Sequence, residues 1–263
     1  MAIVKVQNAG TVTDNTAVSL AFAGDVTAGN LVVALVTRYH SGGSALVVGD
    51  ISKSGTCTLG SWTLEASLLD GDANVTGTAI YSAPVTGTGS CTIDFSKAGS
   101  AGWGLSLVEF SGVSSTREDT ATGGGVSSAP PTTLTMATAA ADSAAGAVFV
   151  GITGFACSNT ETTSLSVGGD YTLLYEYEDS YNYIGVGSEY RIVTEATNDA
   201  ADWGGISLTS AYARWAACLA VFPASGGTNG DVTAEGAAPA SASAGIPSVA
   251  ALMPASIHST VTL

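Results

Sequence analysis

Short apolar runs recur along this chain at intervals of roughly ten to twenty residues, separated by Gly, Asn, Asp, Ser and Thr clusters that punctuate strands. "AIVKV" and "TAVSLAF" open the series. "NLVVALVTRYH", "SALVVGDI", "SWTLEASLL", "TAIYSAPV", "SCTIDFS" and "GLSLVEFSGV" follow. A loop around Gly123 to Pro131 leads to "TTLTMAT", "GAVFVGITGF", "DYTLLYEYE", "IGVGSEYRIV", "GGISLTS" and "RWAACLAVFPA". Many runs alternate apolar with small polar residues, the period of a half-buried strand. "NLVVALV" and "GAVFVGI" are apolar without interruption and are expected as central strands of the core.

The order of these runs repeats. An apolar strand, an aromatic-Thr-Leu strand, a hairpin carrying a tyrosine and a closing strand appear first as "GNLVVALV", "SWTLEAS", "TAIYSAPVTGTGSCTIDF" and "WGLSLVEFSGV". They return as "GAVFVGITGF", "DYTLLYEY", "GSEYRIVTEATNDAADW" and "RWAACLAVFPA". Two half-sandwiches sharing one core would give this pattern, and so would two small independent sandwiches. The crossover "ATGGGVSSAPP" is short, and no linker-like break separates the halves. The expectation is an all-β chain: one jelly-roll-like β-sandwich with two pseudo-repeated halves over residues 1–224, then an extended tail over 225–263.

Past Phe222 the composition changes. The stretch "AEGAAPASASAGIPSVAALMPASIHS" carries three prolines and neither lysine nor arginine. Such a segment buries too little apolar surface to fold alone; it is expected to extend toward polyproline II and to order on a partner. Its candidate partner contacts are Ile246, Pro247, Val249, Leu252, Met253, Ile257, Val261 and Leu263. The closing "IHSTVTL" is β-prone and suits addition to a neighbour's sheet edge. Residues 227–263 should therefore be cut early by a protease in the isolated protein and be protected on assembly. Equal resistance in free monomers would sink this expectation.

Charge narrows the partners. With 22 acidic against 7 basic residues the formal net charge is -15. Such a surface repels phosphate backbones and anionic membranes, so neither nucleic acid nor membrane is an expected partner. The opening "MAIVKVQNAG" has no basic region leading into an apolar one, and "LVVALV" is too short to span a bilayer. Synthesis in the cytoplasm is the expectation.

Chemical motifs are few. No G-x-S-x-G, H-E-x-x-H, G-x-x-x-x-G-K or helix-opening G-x-G-x-x-G occurs. The two histidines are His40, at a strand end, and His258, in the tail; a Ser-His-Asp triad would have to use His40, and an ordinary loop histidine is the simpler reading. Asp70, Asp72 and Asn74 have the alternate spacing of a hard-cation loop, but Val75 stands where glycine is needed and no glutamate closes the loop, so an acidic turn is expected and no metal or cofactor. Cys57, Cys91, Cys157 and Cys218 form no C-x-x-C pair and read as buried free thiols, with a Cys57–Cys91 bridge as the alternative. Trp62, Trp103, Trp203 and Trp215 lie in or beside strand runs and are expected in the core. The most distinctive patch is "YTLLYEYEDSYNYIG". There Tyr171, Tyr175, Tyr177, Tyr181 and Tyr183 crowd around Glu176, Glu178 and Asp179. It suits cross-strand packing, a subunit interface or a glycan site. No catalytic residue is singled out; paired carboxylates for glycoside hydrolysis would be lost among the many acids.

The phrases "AGDVTAGNLVVALVTRYH", "SWTLEAS", "TAIYSAPVTGTGSCTIDFS" and "LSLVEFSGV" together resemble a family of β-sandwich proteins of phage virions and some bacterial surface proteins. The likeness covers about residues 20–222, and the tail resembles the Ala/Pro/Ser/Val-rich ends of phage structural proteins. Unlike fibre-like extensions, this tail is short and without a clean repeat. The resemblance implies a virion structural role without enzyme activity, most simply capsid decoration or cement. Its partners would be the major capsid protein and copies of itself, as a homotrimer. A glycan-binding or adhesion module on a tail fibre or cell surface is the alternative.

Overall fold

The computed structural model describes residues 2–13, 16–41, 44–69, 74–127, 132–157, 160–161, 165–179, 184–208 and 213–226. The described residues belong to one compact unit. That unit is all-β among its described residues. Its strands are β1 (Val4–Thr13), β2 (Ala17–Ala21), β3 (Leu31–Ser41), β4 (Ile51–Ser54), β5 (Thr58–Leu59), β6 (Thr63–Leu69), β7 (Asn74–Gly87), β8 (Thr92–Ser96), β9 (Ser100–Ser111) and β10 (Asp119–Ser127). The series continues with β11 (Thr132–Ala137), β12 (Ala141–Ser143), β13 (Ala147–Cys157), β14 (Thr160–Glu161), β15 (Ser166–Val167), β16 (Thr172–Asp179), β17 (Ile184–Val193), β18 (Thr197–Asp199), β19 (Asp202–Leu208) and β20 (Ala213–Pro223).

All pairings between these strands are antiparallel. A six-stranded sheet runs β1-β9-β3-β7-β5, with β6 also on β7. A five-stranded sheet runs β10-β20-β13-β17-β16. Smaller sheets, β2-β8-β4 for the first part of the chain and β11-β19-β14 with β12-β18 for the second, complete the set.

Side-chain alternation explains how they stack. On β3, Val32, Ala34 and Val36 join Val18, Ile51, Ile93 and Phe95 of the small sheet in one apolar layer. Leu31, Val33 and Leu35 point the other way. They meet Val148, Val150 and Ile152 of β13 and Cys218, Ala220 and Phe222 of β20. On the far face of that second large sheet, Phe149, Leu219 and Val221 pack with Met136 and Trp203. The described residues thus build three apolar layers, where the sequence suggested one shared core. Both large sheets are buried on both faces, which is why their central strands carry unbroken apolar runs.

The middle layer is also stitched by polar contacts. Ser188 Oγ donates to Ser106 Oγ at 2.9 Å, Thr78 Oγ1 to the Ala216 carbonyl at 3.1 Å, and Asn8 Nδ2 to the Leu174 carbonyl at 3.0 Å. The connection from β9 to β10 is pinned as well: Arg117 Nη1 bonds the Glu65 carbonyl, and Ser114 N donates to the Pro223 carbonyl at 2.8 Å.

Two segments depart from the pattern-based reading. The stretch around Gly123, expected as a loop, is strand β10, paired with β20 from Asp119 to Ser127. Its glycines answer to crowding. A Cβ at Gly123 would run into the Ala137 carbonyl, and one at Gly124 would lie 2.9 Å from Leu68 Cδ2. "SALVVGDI" pairs only from Ile51 onward. Val48–Asp50 is a single 3-10 turn, because Val47 N donates to Asp50 Oδ2 at 2.8 Å and bends the chain.

Candidate functional site

Strand β16 carries the tyrosine patch, and its register decides where each ring goes. Leu173 pairs with Glu189 and Tyr175 with Ser188, so Leu174 is a bulge residue that reverses the side-chain alternation. Tyr171 consequently lies in the outer layer with Phe149 and Trp203. Tyr175 turns to the middle layer and lies against Gly10, where no Cβ would fit. Tyr177 is 38% exposed beside Glu176. Tyr181 and Tyr183 lie outside the described residues, as do the tail contacts from Ile246 to Leu263. The structure therefore distributes Tyr171, Tyr175 and Tyr177 over two cores and the surface.

Under that strand sits a polar group that the sequence reading passed over. Glu189 on β17 is fully buried, and neither carboxyl oxygen has a hydrogen-bond partner. Burial pushes its pKa up to about 9, helped by the negative charges of Asp202 and Asp199 and opposed by the nearby Asp202 backbone. Tyr171 Oη and Trp203 Nε1 are likewise buried without partners. Burial, with Asp199 and Glu189, raises the Tyr171 phenol. Two residues along, Arg191 bridges Asp199 and, at 3.2 Å, Asp170. The cluster is a buried carboxyl enclosed by acidic and aromatic neighbours that favour its protonated form.

The first part of the chain holds a contrasting glutamate. Glu109 on β9 is fully buried, and all its bonds are made. Oε1 accepts from Thr27 N at 2.8 Å and Asn30 Nδ2 at 2.6 Å, and Oε2 from Gln7 Nε2 at 2.7 Å. It ties β1 and the turn before β3 to the sheet. Nearby, the Arg38 guanidinium is 1% exposed and lies 6.0 Å from the Trp103 ring centroid. Its Nη2 donates to the Ser44 carbonyl at 3.0 Å, while Nε and Nη1 have no partner. Lys97 and Asp50 pair at 2.6 Å, and Tyr81 Oη donates to the Val47 carbonyl at 3.1 Å.

The outer surfaces are small and polar. On β2-β8-β4, Asp94 accepts from Ser19 Oγ at 2.5 Å and from Ser54 Oγ at 3.2 Å. A shallow groove at the end of the first large sheet is lined by Asn30, Leu31, Pro84, Val113 and Ser225. Exposed apolar side chains include Val4 and Val6 on β1 and Ile192 on β17. Among the described residues, no group of three or more His, Cys, Asp or Glu could hold a metal ion. None of their helices is long and apolar enough to cross a membrane. The side chain of His40 and the residues Asp70, Asp72 and His258 lie outside what is described. Trp103 and Trp203 are fully buried, and Trp62 and Trp215 partly.

Known family models, curated proteins and solved structures offer no match to this chain.

Proposed function

We propose that this chain is a non-enzymatic structural protein of a virion, a decoration or cement protein that binds the outside of a capsid shell and braces neighbouring subunits. The reading rests on the sequence likeness to phage β-sandwich proteins and on one structural observation, the strand order. In the first half β1 lies beside β9 and β2 beside β8; in the second β10 lies beside β20 and β11 beside β19. First strands beside last strands in both sheets support the jelly-roll reading, a fold that recurs in viral capsid and lectin domains.

The same order supports two pseudo-repeated halves. The bulge at Glu65, between the pairs Leu64–Tyr81 and Ala66–Ile80, matches the one at Leu174. Gly29 before β3 and Gly146 before β13 both take positive φ, 93° and 75°. Stacked through their large sheets, two such rolls make a stiff block whose free surfaces are edges, ends and flat polar faces. That form suits a brace on a particle better than a cleft for a small substrate. A homotrimer with the tail reaching a neighbour would add avidity.

Immuno-electron microscopy of the native source with antibody against residues 1–224 tests this. Regular labelling of an icosahedral head is the expected result. Labelling at tail tips or on a cell envelope would transfer the assignment to adhesion. Exposed Tyr177 is the feature that favours that second reading, because an exposed aromatic face suits a sugar.

A further inference from the structure

Cys57 lies in the turn between β4 and β5, and Cys91 immediately precedes β8. A dense set of bonds holds these segments side by side. Cys57 N donates to the Ser90 carbonyl at 2.9 Å, Ser90 N to Thr56 Oγ1 at 3.0 Å, and Thr56 N to Ser90 Oγ at 3.2 Å. The β4–β8 ladder continues from there through Ser54 and Thr92. Gly55 and Gly89 keep the backbones close: a Cβ on Gly89 would lie 2.8 Å from Cys57 N, and one on Gly55 would meet the Ser90 carbonyl. Lys53 Nζ caps the Cys57 carbonyl.

Both thiols are buried in the same apolar layer. Hydrogen-bonded strands run about 4.7–4.9 Å apart, and a disulfide needs α-carbons about 4.4–6.8 Å apart. Cys218, the other free cysteine described, lies in the middle layer.

We infer that Cys57 and Cys91 are an oxidisable pair, a modification site at which exchange with a low-molecular-weight disulfide such as oxidised glutathione closes an intramolecular disulfide. One cysteine thiolate attacks a sulfur of the reagent and expels one glutathione thiolate. The second cysteine then attacks the mixed disulfide at the protein sulfur and expels the other glutathione. The two cysteines lose two electrons and two protons in all, and the reagent takes up both as two thiols. Burial, with Cys57 alongside, pushes the Cys91 thiol up to about 12, so Cys91 attacks only when this corner opens. The crosslink would tie β8 to the start of the segment carrying β5, β6 and β7, locking one margin of the six-stranded sheet. It is independent of the virion reading.

The test uses the full chain. Reduced, denatured protein is refolded in a glutathione redox buffer, and folded reduced protein is separately exposed to oxidised glutathione near pH 8.5. Thiol alkylation, intact mass and peptide mapping follow. The expected product has lost about 2 Da through a Cys57–Cys91 linkage and melts about 5–10 °C above the reduced form. Reductant should reverse both, and C57S and C91S should show neither. A folded product still carrying both thiols free under both treatments, glutathione left on either cysteine, or a linkage through Cys157 or Cys218 would overturn the inference.

Discussion

Replacing Glu189 by glutamine should make this protein more stable at pH 8, not less. In the unfolded chain a glutamate loses its proton near pH 4.3. In the fold, burial, the negative charges of Asp202 and Asp199, and two unpartnered oxygens hold the Glu189 proton until about pH 9. Between these values the native state binds more protons than the unfolded state, so stability falls as pH rises. The loss begins near pH 4.3, amounts to on the order of 3 kcal/mol by pH 7, and levels off above the folded value. Below pH 4.3 the full contribution is present. Glutamine keeps the shape of the protonated acid and does not titrate. Urea unfolding from pH 5 to 8.5 should show a falling curve for the natural protein and, for E189Q, a curve without that component. The two should separate progressively toward high pH. Parallel curves would mean that the carboxyl is ionised in the fold or that water reaches it.

The same substitution at Glu109 should act in the opposite direction. That carboxylate accepts from Thr27 N, Asn30 Nδ2 and Gln7 Nε2, so it has only acceptor work to do. A glutamine would turn an amide donor toward one of those donors and lose that bond. E109Q should cost about 1–3 kcal/mol, and E109A about 3–5 kcal/mol as all three donors lose their acceptor. Chemical denaturation at pH 6 measures both. An E109A variant as stable as the natural protein would show that the turn before β3 is held by its neighbours without this side chain.

These two glutamates also mark what could be read along the chain. The long strands were legible because layering imposes a period of two, and two-sided burial turns it into the unbroken runs of β3 and β13. Strand β10 was not, because the crowding that demands Gly123 and Gly124 comes from Ala137 and Leu68, remote in sequence. The tyrosine patch looked like one surface because Tyr171, Tyr175 and Tyr177 are separated by even numbers of residues, the phase of one strand face. The bulge at Leu174, a product of pairing with β17, splits it. Glu189 did leave a signal: in "GSEYRIV" it shares its phase with Val193, an inward position. A charge in that phase reads as a flaw in the pattern, and only the partnerless oxygens reveal it as a site. Glu109 left the same trace in "LSLVEF", where its phase is that of Leu105 and Leu107.

Strand order also sets a timetable for synthesis. Strand β9, which enters between β1 and β3, ends at Ser111, before any residue of β10 exists. On a ribosome the sheets built from β1 to β9 can therefore close while β10 to β20 are still unmade, and their apolar face toward the middle layer is then uncovered. The five-stranded sheet cannot close until β20 enters between β10 and β13, and β20 ends at Pro223. A nascent chain stalled between residues 120 and 210 would hold one finished half with an uncovered face, the state most prone to clumping.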